Sequence, residues 1–311
     1  MKREERIIFM GTPEIAATVL QALIEEEYNI IGVIAQPDRP VGRKKILEPV
    51  PTKKVALEHN IPVYQPIKIK HDYEFVKELK PDVIITLAYG QIVPQGLLDI
   101  PPKGCINLHG SILPKYRGAA PIQYSIKDGE KETGVTLMEM IDKMDAGRMY
   151  AVKKIKIEDE DNSTSLFKKV GLCAKELILE SLPDYLDGKL EGIVQDESLV
   201  TFCPTIKPEE EHIPSGLTTS AFVNYVRALS DQPGAYLMLD ELKFKIYKAR
   251  HYSNKNGSNE YKITQADKNG LLVSCLDGEV LLLEVQKQGK NRIDYKSFVN
   301  GEKNIVGKTL L

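Results

Sequence analysis

The chain has 311 residues, of which 42% are hydrophobic and 28% are charged, a composition typical of a globular protein long enough for two domains. It contains no apolar run near the roughly 20 residues of a membrane span, and MKREERIIFMG lacks the apolar region and cleavage site of a signal peptide. The four cysteines are far apart and form no Cys-x-x-Cys pair, so the sequence predicts a cytoplasmic protein without a zinc site or a disulfide framework.

The net charge of −2 is distributed unevenly along the chain. Residues 242–311 contain 13 Lys and Arg against 7 Asp and Glu, a net charge of +6, whereas residues 1–241 contain 29 against 37, a net charge of −8. A basic C-terminal region favours a polyanionic partner. Ordinary variation of surface charge explains the same count equally well.

The first half of the chain predicts strands that alternate with helices. The apolar runs RIIFMG, NIIGVIAQ, PDVIITLAYG and GCINLHG have the pattern of buried strands, and EIAATVLQALIEEE, KKVALEHN and DYEFVKELK have the pattern of helices. This alternation is typical of an α/β domain with a Rossmann-like, doubly wound, mostly parallel sheet. TGVTLMEM and RMYAVKKIKI then predict a strand pair, and TSLFKKVGLCAKELILESLPDYL predicts a long helix.

The second half predicts a separate small domain. Residues 189–208 are polar and contain prolines, which indicates a linker between a domain at 1–188 and a domain at 209–311. In the latter a short helical stretch precedes AYLML, LKFKIYKAR, GLLVSC and EVLLLEVQ. Short strands separated by Gly and Asn turns predict an antiparallel β-barrel.

Two connections bear on ligand binding. The turn MGTPEIA after the first strand has one glycine, Gly11, where a dinucleotide fingerprint needs three, so a nicotinamide or flavin cofactor is not predicted. The segment at 36–54, QPDRPVGRKKILEPVPTKK, is rich in Lys and Arg and much longer than the usual connection of about 2–6 residues. Such a segment is typical of phosphate binding, although a solvated run of charges has the same composition.

Three polar residues form a candidate catalytic set. Asn107 and His109 are two apart at the end of a predicted strand, so their side chains share one face at the edge where active sites of this architecture lie. Asp145 precedes Ala-Gly in a predicted turn. An amide, an imidazole and a carboxylate without a neighbouring Ser or Cys nucleophile favour acyl transfer without a covalent intermediate. Taken alone, a histidine such as His109 is more often a core residue, and Asp145 is an ordinary turn residue.

The sequence resembles the methionyl-tRNA formyltransferase family of the formyltransferase superfamily over essentially its whole length. The resemblance is carried by IIFMGTPEIA, AQPDRPVGRKK, LAYGQIVP, CINLHGSILPKYRGAAPIQ, TGVTLMEM, MDAGRMY and PGAY. It implies transfer of the formyl group of 10-formyltetrahydrofolate, as co-substrate, to the methionine of initiator methionyl-tRNA in translation initiation, without a metal. Nothing in the sequence indicates more than a monomer.

The resemblance also implies roles for particular positions. Asn107, His109 and Asp145 become the catalytic residues, and the C-terminal domain becomes an OB-fold-like barrel that binds tRNA. Folate contacts are implied for Tyr89, Gly90, Ser111, Ile112, Leu113 and Pro114. Contacts to tRNA are implied for Arg39, Arg43, Lys44 and Lys45.

Other functions remain open on the sequence alone. A formyltransferase that acts on a small amine, such as a sugar nucleotide or a purine precursor, would use the same chemistry but has no need of a long basic segment. The same objection applies to a hydrolase that releases formate from the folate. An RNA-binding protein on an inactive scaffold would have no reason to keep Asn107, His109 and Asp145 together.

Overall fold

The structure, a computed structural model, describes residues 4–41, 46–302 and 304–311. The first part of the chain contains, in order, β1 (Ile7–Gly11), α1 (Glu14–Glu25), β2 (Ile30–Ile34), β3 (Arg39–Val41), β4 (Ile46–Glu48), α2 (Pro51–Glu58), β5 (Val63–Tyr64), α3 (Glu74–Leu79), β6 (Val83–Leu87), α4 (Gln95–Leu98), β7 (Cys105–His109), β8 (Arg117–Gly118), α5 (Pro121–Lys127), β9 (Glu132–Glu139), β10 (Met149–Lys156) and α6 (Ser163–Leu186).

The remainder contains β11 (Phe202–Cys203), α7 (Thr219–Leu229), β12 (Ala235–Leu239), β13 (Leu242–Ser253), β14 (Tyr261–Asp267), β15 (Gly270–Cys275), β16 (Gly278–Lys287), β17 (Ile293–Asp294), α8 (Tyr295–Gly301) and β18 (Thr309–Leu310). The chain divides into two compact units. The first comprises residues 1–118, 133–155 and 167–203, and the second comprises residues 119–132, 156–166 and 204–311.

The first unit contains the predicted doubly wound sheet, with the strand order β10-β9-β7-β6-β1-β2-β5 among the described residues. Its neighbours from β7 to β5 are parallel, and β9 joins β7 antiparallel. From β1 the chain adds β2 and β5 on one side and then β6 and β7 on the other, so the strand order reverses between β1 and β6. β1 and β6 are wholly buried, as expected for strands covered on both faces.

A close approach at the end of β1 explains the single glycine of the first turn. A Cβ atom on Gly11 would lie 2.7 Å from both the Ala16 Cβ and the Leu87 carbonyl oxygen, which is too short for any side chain. Glycine therefore lets β1, the start of α1 and the end of β6 pack against one another. The residue has a packing role in this turn.

The second unit contains the predicted antiparallel barrel, with the strand order β12-β13-β16-β15-β14-β18 among the described residues and β17 paired to β16. Met238 on β12 and Leu311 after β18 exchange backbone hydrogen bonds, which closes the strands into a barrel. The helix α7 begins at the cap Thr218, whose hydroxyl accepts from the Ala221 amide, and it packs on β13 and buries Phe222 in the barrel core.

The stretch expected to be a linker has ordered structure of its own. Within residues 189–208, β11 pairs in parallel with β8, and Ile193 bridges to Met149. In the parts of the chain that the structure describes, no helix has the length and apolar character needed to cross a membrane.

Candidate active site

The end of β7 carries two of the three predicted catalytic residues. Asn107 pairs in register with Thr86 on β6 and with Met138 on β9, and His109 pairs with Thr136. Asn107 is half-buried, and its amide has no hydrogen-bond partner among the described residues. The Asn107 amide at the carboxyl edge of the sheet is therefore able to form hydrogen bonds with a ligand.

His109 is held by oxygen atoms on both sides of its ring. Its Nε2 lies 2.7 Å from the Tyr116 carbonyl oxygen, and because a carbonyl only accepts, Nε2 carries a hydrogen. Its Nδ1 lies 3.6 Å from Oδ2 of Asp145, beyond hydrogen-bond distance. With Nε2 committed to Tyr116, Nδ1 is the nitrogen left to donate to a substrate.

Asp145 is fixed between β9 and β10 by contacts to its side chain and its backbone. Its Oδ2 accepts a hydrogen bond of 2.9 Å from the Gly118 amide, and its carbonyl accepts one of 2.8 Å from Nε2 of Gln195. The same Gln195 amide donates to the Gly147 carbonyl. Asp145 has a φ of +50°, in the left-handed region that Asp tolerates better than most residues.

A buried arginine supports Gln195 from behind. Arg117 is 1% exposed, its Nε donates to Oε1 of Gln195 at 3.0 Å, and its guanidinium pairs with Glu197 at 2.9 Å. Hydrogen bonds from Arg117 and Lys143 hold the pKa of Glu197 below its ordinary value. The sequence analysis missed this group of residues, and the only signal for it was the position of Arg117 inside the segment CINLHGSILPKYRGAAPIQ.

The segment after β7 is held against β9. The Thr136 hydroxyl donates to the Ser111 carbonyl at 2.7 Å and accepts from the Leu113 amide at 3.1 Å. Ser111 and Leu113 are buried, whereas Ile112 and Pro114 keep part of their surface. Of the four positions implied for folate in this segment, the half-buried Ile112 and Pro114 offer side-chain surface.

The other two positions implied for folate lie after β6. The Tyr89 ring is buried, and this burial raises the pKa of its hydroxyl to about 12. Its carbonyl accepts hydrogen bonds from the Thr12 hydroxyl and from Nε2 of the Gln36 side chain. Gly90 is exposed and has a φ of +89°, which favours glycine.

The basic segment forms an antiparallel pair of β3 and β4 followed by α2. Arg39 on β3 is exposed, whereas Arg43, Lys44 and Lys45 lie outside the described residues. Lys53 of the same segment is half-buried, and its ammonium group pairs with Asp38 at 2.5 Å and donates to Oε1 of Gln65 at 2.7 Å.

The structure therefore brings His109, Asp145 and the Tyr116 carbonyl into contact, with Asn107 one pleat away on the same face of β7. The arrangement provides an imidazole, a carboxylate and an amide N–H at one sheet edge. Such groups suit a reaction in which negative charge develops on an oxygen atom. Within the described ranges, no cluster of three or more His, Cys, Asp or Glu residues has the spacing of a metal site.

Family models match both units. The formyl transferase model matches residues 5–182, and the model of the formyl transferase C-terminal domain matches residues 205–303. The chain belongs to the formyl transferase family. Relatives named methionyl-tRNA formyltransferase include that of Lactobacillus johnsonii, 44% identical over 299 residues and 95% of each chain, and that of Listeria monocytogenes, 44% identical over 307 residues and 98% of each chain.

Solved structures share the fold at lower identity. An N-formyltransferase from Helicobacter canadensis, in complex with folinic acid and dTDP-3-aminofucose, is 20% identical with a TM-score of 0.69 and covers 90% of this chain and 98% of its own. HypX from Aquifex aeolicus, in complex with tetrahydrofolic acid, is 19% identical with a TM-score of 0.66 and covers 98% of this chain and 49% of its own. At these identities the likeness concerns the fold alone.

Proposed function

We propose that this protein transfers the formyl group of 10-formyltetrahydrofolate to the α-amino group of methionine esterified to initiator tRNA. Relatives of matching length, 44% identical and named for this reaction, support the choice of substrate. The chemistry is carried by one structural observation, the placement of His109 between the Tyr116 carbonyl and Asp145.

The methionyl amine attacks the formyl carbon, a new C–N bond forms, and the bond from the formyl carbon to N10 of the folate then breaks. The tetrahedral intermediate carries a negative oxygen, which the Asn107 amide and the His109 Nδ1–H stabilise. Removal of one such donor typically costs about 10²–10³ in rate.

Asp145 stabilises the imidazolium form of His109 by its charge at 3.6 Å. It also accepts, directly or through water, the proton that the attacking amine loses, and N10 takes up a proton as it leaves. The Gly118 amide and Gln195 keep the carboxylate in place for this role.

The substrates approach the site along different elements. Folate lies along Ser111, Ile112, Leu113 and Pro114, with Tyr89 and Gly90 at the boundary of its site. The tRNA contacts the basic segment through Arg39, Arg43, Lys44 and Lys45. The barrel at 209–311 supports the tRNA backbone, and the net charge of +6 over residues 242–311 has the sign that this requires.

The test is an acceptor comparison with purified protein and 10-formyltetrahydrofolate. Initiator methionyl-tRNA, elongator methionyl-tRNA, free methionine and a dTDP-linked amino sugar are supplied separately. We expect the protein to formylate initiator methionyl-tRNA with a kcat/KM at least a hundredfold above its kcat/KM for each of the other three acceptors. Formylation of the amino sugar instead would favour the small-amine alternative, and release of formate without an acceptor would favour a hydrolase.

A further inference from the structure

The backbone carbonyl that contacts His109 belongs to a residue in an unusual conformation. Tyr116, which provides this carbonyl, is buried and lies directly before β8. Its φ is +62°, in the left-handed region that an aromatic residue rarely adopts. Such a conformation persists only where neighbouring groups hold it. The neighbours come from residues 189–208, the stretch that the sequence predicts to be a linker.

Thr201, directly before β11, accepts hydrogen bonds from two consecutive backbone amides. Its hydroxyl accepts from the Tyr116 amide at 2.9 Å, and its carbonyl accepts from the Arg117 amide at 2.9 Å. These two amides flank the Cα atom of Tyr116. The single residue Thr201 therefore restrains both backbone dihedral angles of Tyr116.

The second of these hydrogen bonds determines where the Tyr116 carbonyl points. This carbonyl and the Arg117 amide belong to one planar peptide group, in which the oxygen and the hydrogen point in opposite directions. Because the Arg117 N–H is bound to Thr201, the oxygen faces away from Thr201, and there it accepts from Nε2 of His109 at 2.7 Å. The same contact turns Nδ1 of His109 toward Asp145.

Contacts from β11 hold the same backbone. The buried Cys203 thiol donates to the Tyr116 carbonyl at 3.1 Å. Gly118 pairs with Cys203, and a Cβ atom on Gly118 would lie 2.6 Å from the Cys203 carbonyl oxygen, so only glycine allows this approach. The Gly118 amide in turn donates to Asp145. The backbone that contacts both catalytic side chains is therefore held by β11 and by the residue before it.

We propose that Thr201 is a positioning residue for formyl transfer, an inference that rests on the proposed function. Its hydroxyl holds Tyr116 in the left-handed conformation, so that the Tyr116 carbonyl keeps Nδ1 of His109 directed toward the formyl group. Thr201 binds neither substrate and acts only through this carbonyl. All of these residues belong to the first unit, which extends to residue 203.

Loss of the Thr201 hydroxyl has a specific structural consequence. The Tyr116 amide loses this acceptor and has to bind another one, because a buried N–H without a partner is costly. Tyr116 then relaxes toward a negative φ, and its carbonyl turns away from Nε2 of His109. A displaced imidazole ring is a poorer donor to the oxyanion, although neither substrate loses a contact.

The experiment compares the wild type with T201V, T201S and the matched control S198A. Valine keeps the shape of threonine without its hydroxyl, whereas serine keeps the hydroxyl. Ser198 is exposed in the same stretch, and its hydroxyl donates to Asp196. The measured quantities are kcat, KM for initiator methionyl-tRNA and KM for 10-formyltetrahydrofolate. Thermal melts establish that each variant is folded, and T201A supplies the test if T201V does not fold.

A second measurement observes the His109 ring directly and needs no tRNA. The histidine side chains are labelled with nitrogen-15, and the Nε2–H resonance of His109 is assigned by its absence from H109N. A hydrogen bonded to a buried carbonyl exchanges slowly with water. The exchange rate of this hydrogen in the NMR spectrum therefore reports the contact between His109 and Tyr116.

We expect T201V to lower kcat at least fivefold, to change each KM less than twofold, and to accelerate exchange of the Nε2 hydrogen at least tenfold. T201S and S198A should keep at least half of the wild-type kcat and the wild-type exchange rate. A wild-type kcat in T201V, an equal loss in T201S, or an unchanged exchange rate in T201V would overturn the proposal. Absence of tRNA formylation by the wild type would refute the proposed function, whereas the exchange rates would still decide whether Thr201 positions His109.

Discussion

Replacing Asp145 by Asn removes one negative charge and little else from the active site. The Asn oxygen can still accept from the Gly118 amide, and the backbone contacts to Gln195 are unaffected. Two unit charges 3.6 Å apart attract by about 4.6 kcal/mol at an effective dielectric constant near 20. If the imidazolium of His109 stabilises the transition state, the loss of this attraction lowers the rate by at most about three powers of ten.

We therefore expect D145N to lower kcat by about 10²–10³ and to change each KM by less than threefold. The assay is formation of formyl-methionyl-tRNA at saturating concentrations of both substrates. D142N is the matched control, because Asp142 is an exposed carboxylate in the same turn and lies outside the contacts of His109. A D145N enzyme that folds normally and keeps more than a third of the wild-type kcat would refute the role given to the charge.

Three further predictions concern Asn107, Gln195 and, in the basic segment, Asp38. N107A should lower kcat by about 10²–10³ with little change in either KM, because it removes an oxyanion donor. Q195L should lower the free energy of unfolding by about 3 kcal/mol in urea titrations, because the buried Gln195 side chain loses three hydrogen bonds, and should also lower kcat. Burial opposes ionisation of Asp38, but hydrogen bonds from Lys53, Gln65 and the Val50 amide outweigh it and keep its pKa below the ordinary 3.8. This stabilisation is present above about pH 4 and is lost as pH falls through the lowered pKa, so the Tm difference between wild type and D38N should shrink in acid.

Each of these predictions has its own contrary result. An N107A enzyme with a large rise in KM and unchanged kcat would make Asn107 a binding residue. Q265L is the control for Q195L, since within the described ranges the Gln265 side chain donates only to Asp267, two residues away. Equal free energies of unfolding for Q195L and wild type would show that the hydrogen bonds by which Gln195 holds Asp145 do not stabilise the fold. A Tm difference between wild type and D38N that stays constant from pH 6 to pH 3 would show that the ionised Asp38 carboxylate is not the source of the stabilisation.

The parts of the fold that depend on local pattern were predictable from sequence. The uniformly apolar runs at β1 and β6 could be stable only between two layers, which indicated the parallel sheet. The alternation of β12, with every second residue buried, likewise indicated a barrel wall. The placement of Asn107 and His109 followed from a strand period of two and from the location of ligand sites in open sheets.

The support of the site was not predictable, because it depends on contacts between residues far apart in the chain. Arg117 and Gln195 are 78 positions apart, and β8 and β11 are too short to give a strand pattern. No periodicity marks a buried arginine whose partners come from a polar, proline-containing stretch. The ion pair of Lys53 could not be predicted for the same reason, since a run of cations does not show which one pairs with the half-buried Asp38.

The most direct test of the account follows one labelled formyl group in a single turnover. Wild type and N107A are each mixed in excess with formyl-labelled 10-formyltetrahydrofolate and initiator methionyl-tRNA, and label is measured on folate, protein and tRNA over time. The account predicts that label passes from folate to methionyl-tRNA without appearing on the protein, at a rate about 10²–10³ lower in N107A. Label that resides covalently on the protein, or transfer by N107A at the wild-type rate, would contradict direct attack at this site.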